Sequence, residues 1–235
     1  MTQQPGPTNL DAQIKESLDR IKERITNKPV IQYQRFVRKK LTPEKLKHWQ
    51  TLLNFNSCGD PELAKMLRAT ATFLRDICND YKGRAYWLTL LGSSGVGKTH
   101  LAKGAWRIWE GKACFRKLPC GVSIPMDGYY WDFGRLIDEV RDRHYGVWED
   151  ACRAPFLVID DVGAGNTNTA FAVDKLYELL NRRLGKWTVI TANQKLETLG
   201  EWDQRIASRL IRDGNQCIDV VTKDYATREN QQSLL

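Results

Sequence analysis

No apolar run in the 235 residues approaches the roughly 20 needed to cross a bilayer, so no membrane role is expected. The opening stretch, Met1 to Asn9, is polar and lacks the apolar core of a secretory signal. Histidine is scarce, with three in the chain. None of the six cysteines (Cys58, Cys78, Cys114, Cys120, Cys152 and Cys217) forms a CxxC pair, which argues against a zinc site. They read as scattered small apolar residues in a reducing compartment, and a cytoplasmic location is expected. No internal repeat is visible in the sequence.

What the chain does have is an excess of positive charge. Its 36 Lys and Arg outweigh 28 Asp and Glu to give +8. Such a balance suits an anionic partner, whether nucleic acid, nucleotide or an acidic protein face. A merely solvated basic surface would give the same number. Hydrophobic residues at 42% suffice for a proper core, and the length fits one α/β domain with an appendage.

Residues 1–9 are Gln/Pro/Gly-rich and read as disordered. Leu10, Ile14, Leu18, Ile21 and Ile25 then recur at helical steps, one stripe of an amphipathic helix that Lys28-Pro29 breaks. In residues 29–40, Arg35, Arg38, Lys39 and Lys40 interleave with Tyr33 and Phe36. Thr42-Pro43 reads as an N-cap followed by an N1 proline, opening a helix with Leu46, Trp49, Leu52 and Leu53. Asn54 to Pro61 is a turn. The expected division is an N-terminal extension over 1–56 and a core over 57–235.

Within the core, Leu63, Met66, Leu67, Phe73, Leu74 and Ile77 predict a helix that Lys82-Gly83 ends. Tyr86 to Leu91 predicts a buried strand and Leu101 to Trp109 a helix. Residues 111–128 read as an irregular connection or hairpin. Strands are expected at Tyr129 to Phe133, Phe156 to Ile159, Thr188 to Ala192 and Ile218 to Val221. Helices are expected around Leu136, Ile137 and Val140, around Leu176, Leu179, Leu180 and Leu184, and from Arg205 to Leu210. Strands alternating with helices mean a parallel sheet covered on both faces.

The loop Gly92-Ser93-Ser94-Gly95-Val96-Gly97-Lys98-Thr99, with His100 next, fits G-x-x-x-x-G-K-[ST] in full between a strand and a helix. Glycines let backbone N–H groups close round a phosphate chain, and the helix points its positive end at it. Lys98 reaches the β- and γ-phosphates and Thr99 ligates Mg²⁺, so ATP and Mg²⁺ are the expected ligands. In Phe156-Leu157-Val158-Ile159-Asp160-Asp161 two acids emerge at the carboxyl end of a buried strand, the edge where ligands bind in parallel sheets. Asp160 is the candidate Mg²⁺ holder and Asp161 the candidate general base. Asn193, at the end of the next predicted strand, is either a water-orienting amide or a turn residue. Arg205 and Arg209 share one helix face and are either surface charges or residues reaching a neighbour's γ-phosphate.

Five segments in this order resemble the AAA+ family of DnaC-type helicase loaders and IstB-type transposition ATPases. They are GSSGVGKTHLA at 92–102, YYWDFGRLIDEV at 129–140, FLVIDDVG at 156–163, TANQKLETL at 191–199 and DQRIASRL at 203–210. The likeness runs over about residues 86–228. It implies a P-loop AAA+ sheet flanked by helices and ATP hydrolysis at subunit interfaces, hence self-association. It makes Asn193 a sensor and Arg209, with Arg205, the arginine-finger candidates. Asp161 stands where such proteins generally carry Glu. The 26 residues after Arg209 are too few for the helical lid of most such proteins, so no full lid is expected and no sensor 2 arginine is assigned, Arg228 being only a candidate.

Two functions share this core. One is a loader that delivers a replicative helicase onto single-stranded DNA. The other is a helper ATPase that assists a transposase in choosing target DNA. Tyr33, Phe36, Tyr129, Tyr130 and Trp131 are candidate base-stacking residues on either reading, although the last three fall on a predicted strand, where aromatics are usually core.

Overall fold

The computed structural model describes residues 50, 52–57, 59–78, 85–111, 115–117, 123–125, 128–165 and 167–222. The chain divides between Lys45 and Leu46, and all of these residues fall in the second unit. The expected helix over 10–25, the basic stretch 29–40, the Thr42-Pro43 cap, the Lys82-Gly83 stop and Arg228 lie outside the described residues.

Leu52–Asn54 forms a 3₁₀ turn where the sequence predicts the end of an α-helix. Helix α1 spans Pro61–Cys78. Asp60 caps it, its carboxylate accepting from the N–H groups of Glu62 (2.9 Å) and Leu63 (3.3 Å), with Pro61 at the first helical position. Strand β1 covers Trp87–Gly92 and helix α2 Lys98–Gly111. Two short strands, β2 (Phe115–Lys117) and β3 (Ser123–Pro125), pair antiparallel, so the connection expected over 111–128 contains a hairpin.

Strand β4 is Gly128–Asp132 and helix α3 is Phe133–Arg141. Phe133 therefore starts a helix instead of ending a strand. The reason is local: the Asp132 carboxylate accepts from the Arg135 N–H at 2.9 Å and caps the chain one residue early. Helix α4, Tyr145–Arg153, and helix α6, Leu196–Trp202, carry no sequence expectation. Neither has a side-chain cap, and α6 buries one residue, Leu199. The α4 signal lay in Val147, Trp148, Ala151 and Cys152, a helical face partly built of small side chains. Strand β5 is Phe156–Val162, helix α5 Ala170–Arg182 and strand β6 Trp187–Ala192. Helix α7 is Gln204–Ile211 and strand β7 Gln216–Val220. Leu184 and Val221, expected within elements, lie beyond their ends and are exposed.

The five longer strands make one parallel sheet in the order β4-β5-β6-β1-β7. Pleating sends alternate residues to opposite faces. Leu88, Leu90, Phe156, Val158, Val189 and Val220 pack under α1 and α2. Trp87, Leu91, Leu157, Ile159, Ile190 and Ala192 pack under α3 to α7. Each fully buried Leu, Ile or Phe contributes about 1.5–3 kcal/mol. Both described free cysteines sit in this second layer, Cys152 buried and Cys217 half-buried, as small apolar residues.

Arg183 is fully buried, with no carboxylate partner among the described residues. Its guanidinium donates to Thr188 Oγ1 (2.8 Å) and to the carbonyls of Ala151 (2.8 Å), Ala154 (2.9 Å) and Trp187 (2.7 Å). Burial lowers its pKa, and the fork geometry makes the cation tolerable by binding the end of α4 to the start of β6. Arg183→Met is expected to destabilise the protein by about 3 kcal/mol or more, since it strands several buried acceptors. Urea unfolding measures this, and Arg183→Lys should recover part of the loss only, because an ammonium lacks the fork.

Candidate functional site

β6 lies between β1 and β5, so the loops leaving these three strands open side by side at the carboxyl edge of the sheet. Leu91 and Val162 both align with Ala192 across the register. One edge therefore receives the loop after β1, the acids of β5 and the amide after β6.

The loop closes tightly. Gly92 has φ +139°, and a Cβ there would lie 2.4 Å from the Val220 carbonyl oxygen. Gly97 has φ +97°, and a Cβ would meet the Phe55 ring at 2.6 Å. Both positions require glycine for space as well as conformation. His100 follows on α2, its Nε2 3.0 Å from Asn54 Oδ1 and its ring edge-on to Phe55. Ser93, Ser94 and Gly95 are exposed at the loop crest, and Val96 is buried beneath. Ser93 Oγ donates to the Thr222 carbonyl at 3.3 Å.

Lys98 is 4% exposed. Its ammonium donates to the carbonyls of Gly92 (2.9 Å) and Ser93 (2.7 Å) and to Asn193 Oδ1 (2.8 Å). Burial lowers its pKa, while Asp161 and Asp160 oppose the shift. Asp160, 3% exposed, is held by hydroxyls: Thr99 Oγ1 (3.1 Å) and Thr191 Oγ1 donate to its Oδ1, and the Tyr130 hydroxyl donates to its Oδ2. Burial, and then the negative charge of Asp160, raises the Tyr130 pKa, so the phenol stays a donor.

Asp161 sits in the left-handed region at φ +58°, where the β5–β6 register slips between Ile159 and Val162. Thr191 Oγ1 accepts its N–H at 2.9 Å and steadies this strained backbone. The bulge turns Asp161 to the Asn193 amide, 3.5 Å away. Burial raises the Asp161 pKa, with Asp160 and Asp132 adding to the shift and Lys98 and Lys103 opposing it. A raised pKa suits a carboxylate that takes a proton.

Gly92 to His100, Asp160 and Asp161 thus come together at one edge, and Asn193, left open between turn and site by its position alone, joins them there. Arg205 and Arg209 do not join them within the chain. Arg205 forks onto Asp203 (2.6 Å) and lies 4.0 Å over the Tyr177 ring. Tyr177 has a lowered pKa because Asn181 and then Arg209 hydrogen-bond its hydroxyl. Both arginines therefore line one face where α7 meets α5.

The family model for IstB-like ATP binding proteins matches residues 8–219. The chain belongs to this family. ATP binding is therefore its expected business, and the phosphate loop is the part of the fold built for it. No curated protein matches the chain. Among solved structures, a DnaI is 18% identical, with 78% of this chain and 94% of that one covered and a TM-score of 0.57. Domain III of the Thermotoga maritima replication initiation protein DnaA is 21% identical, with 82% and 73% covered and a TM-score of 0.54. A DNA replication initiation factor is 17% identical, with a TM-score of 0.56, and the alignment covers 83% of this chain but 56% of that longer one. At these identities the likeness is one of fold: the expected AAA+ parallel sheet flanked by helices is what the chain adopts.

Sequence reasoning missed two residues of the site. Thr191 carries both acids on one hydroxyl, and its signal was a threonine near the end of a buried strand whose one other polar residue is Thr188. Tyr130, read as core or base-stacking, is half-buried with its hydroxyl on Asp160. Its neighbour Trp131 is core, as the strand position implied. Lys98→Ala is expected to lower ATP affinity about 10- to 100-fold by removing a charge-assisted phosphate contact while the chain still folds. Fluorescent-nucleotide titration alongside circular dichroism checks both halves.

Proposed function

We propose that this protein hydrolyses ATP with Mg²⁺ and acts as a DnaC-like loader of a replicative helicase onto single-stranded DNA. The observation that carries hydrolysis is the convergence of Lys98, Thr99, Asp160, Asp161 and Asn193 on one sheet edge. The donors around Asp160 are hard oxygens, the set Mg²⁺ prefers. No group of three or more His, Cys, Asp or Glu forms a metal cage among the described residues, which fits an ion held largely by phosphates and water. When bound, Mg²⁺ supplies charge neutralisation on the phosphates.

The chain's own groups do the rest. The loop N–H groups and Lys98 bind and orient the phosphates, with His100 just beyond the cradle. Thr99 and Asp160 hold the metal. Asn193 orients the attacking water, and Asp161 takes its proton. Arg209, with Arg205 beside it, reaches the γ-phosphate of an adjacent copy, which makes oligomerisation part of catalysis. Residues 1–56 form the partner-binding extension and 57–235 the ATPase core, working in the cytoplasm. Asp161→Asn is expected to keep ATP affinity and lose turnover by about 100-fold or more, because an amide cannot accept the proton. Phosphate release measured at saturating ATP checks this; parental turnover rejects the assignment.

The match to the IstB-like family across residues 8–219 favours a second reading, a helper of a transposase in selecting duplex target DNA. The partner separates the two. Full-length protein is expected to capture a purified hexameric replicative helicase, and deletion of residues 1–30 to abolish capture while nucleotide binding persists. Capture of a transposase instead, or helicase capture by the truncated chain, overturns the loader reading.

A further inference from the structure

Asp160 faces three hydroxyls. A carboxylate offers about four lone-pair directions, two on each oxygen. Thr99 and Thr191 take the two on Oδ1, and Tyr130 takes one on Oδ2. One direction is left, on Oδ2. The threonines come from α2 and β6, and the tyrosine from β4 on the other side of β5. Tyr130 is thus the donor that governs the oxygen with the spare lone pair.

The phenol is itself held. Its ring packs against Trp106 at 6.0 Å between centroids, and Lys103 Nζ lies 5.8 Å from the ring centre. Its backbone pairs with Val158 in the β4–β5 ladder. Neither ring contact uses the hydroxyl, so the Tyr130–Asp160 bond can be removed without disturbing the packing that carries the ring.

We propose that Tyr130 is a positioning residue for the metal: its hydroxyl locks the Asp160 carboxylate in the rotamer that leaves one Oδ2 lone pair for Mg²⁺ or a water bound to it. This rests on the metal reading above. A phenylalanine here would pack equally well and leave Oδ2 to swing, so the tyrosine serves the carboxylate and not the core.

The test is a Tyr130→Phe substitution in the full-length chain, with binding of a non-hydrolysable fluorescent ATP analogue as readout. In EDTA, parent and variant are expected to bind the analogue equally, because the phosphate loop is intact. Titrated with Mg²⁺, the variant is expected to need about tenfold more metal for half-maximal enhancement, the usual loss when a ligand's outer partner is removed. Mn²⁺ binding to the same complexes by electron paramagnetic resonance should show the same displacement. Thr191→Val, which removes one of the two donors to Oδ1, should shift the midpoint too, and equal thermal melts of parent and Tyr130→Phe exclude a folding explanation. Equal Mg²⁺ midpoints in parent and Tyr130→Phe overturn this proposal alone. No Mg²⁺ dependence in the parent overturns the metal reading together with it.

Discussion

An ammonium taken out of water must find acceptors for all three of its protons, and Lys98 finds them in two loop carbonyls and the Asn193 amide. Much of the architecture serves that demand. The carbonyls point inward only because the loop passes through positive φ at Gly92, Gly95 and Gly97. The amide is in reach only because β6 runs beside β1. Two carboxylates stand close enough to offset part of the desolvation that lowers the lysine's pKa. The arrangement also has a consequence for binding. A phosphate that draws Lys98 toward it must replace at least one of these acceptors, and Asn193, the one side chain among them, is the acceptor that can be released without reshaping the loop.

The acids show a second constraint, the accommodation of two adjacent carboxylates at one strand end. Consecutive residues on a regular strand point to opposite faces, so Asp160 and Asp161 could not both serve one pocket on an unbroken β5. The register slip and the left-handed backbone at Asp161 resolve this. Thr191 holds both sides of the break, donating to the Asp160 carboxylate and accepting the Asp161 N–H. Strain is concentrated at one residue and met by one hydroxyl. Elsewhere the fold accommodates charge differently: Arg183 is buried among neutral acceptors and ties helices to the sheet far from the nucleotide edge.

Most strands and the longer helices were legible because burial imprints a simple period. Phe156 to Ile159 is apolar throughout, and Thr188 to Ala192 is apolar but for its two threonines, since helices cover both faces of a parallel sheet. Helices α4 and α6 left little trace, one with a face partly of small residues and the other with a single buried leucine. The early start of α3 at Phe133 turned on an aspartate cap that looked like a strand residue. The site was legible in the same proportion. A phosphate loop needs glycines at set intervals, so Gly92 to Thr99 declared itself, and the paired acids followed from their place at a strand end.

By itself, then, the sequence determined the class of fold, the nucleotide loop and the two acids, because each depends on residue types at short fixed spacing. It left Asn193 open between turn and site, read Tyr130 as core or base-stacking, and left Thr191 unremarked. Those three depend on which strands become neighbours, a matter of crossovers between segments 30 to 100 residues apart that no local pattern encodes. Only the order β4-β5-β6-β1 brings a phenol from one strand and a threonine from another onto the same carboxylate, and only there does a buried lysine meet an amide 95 residues away.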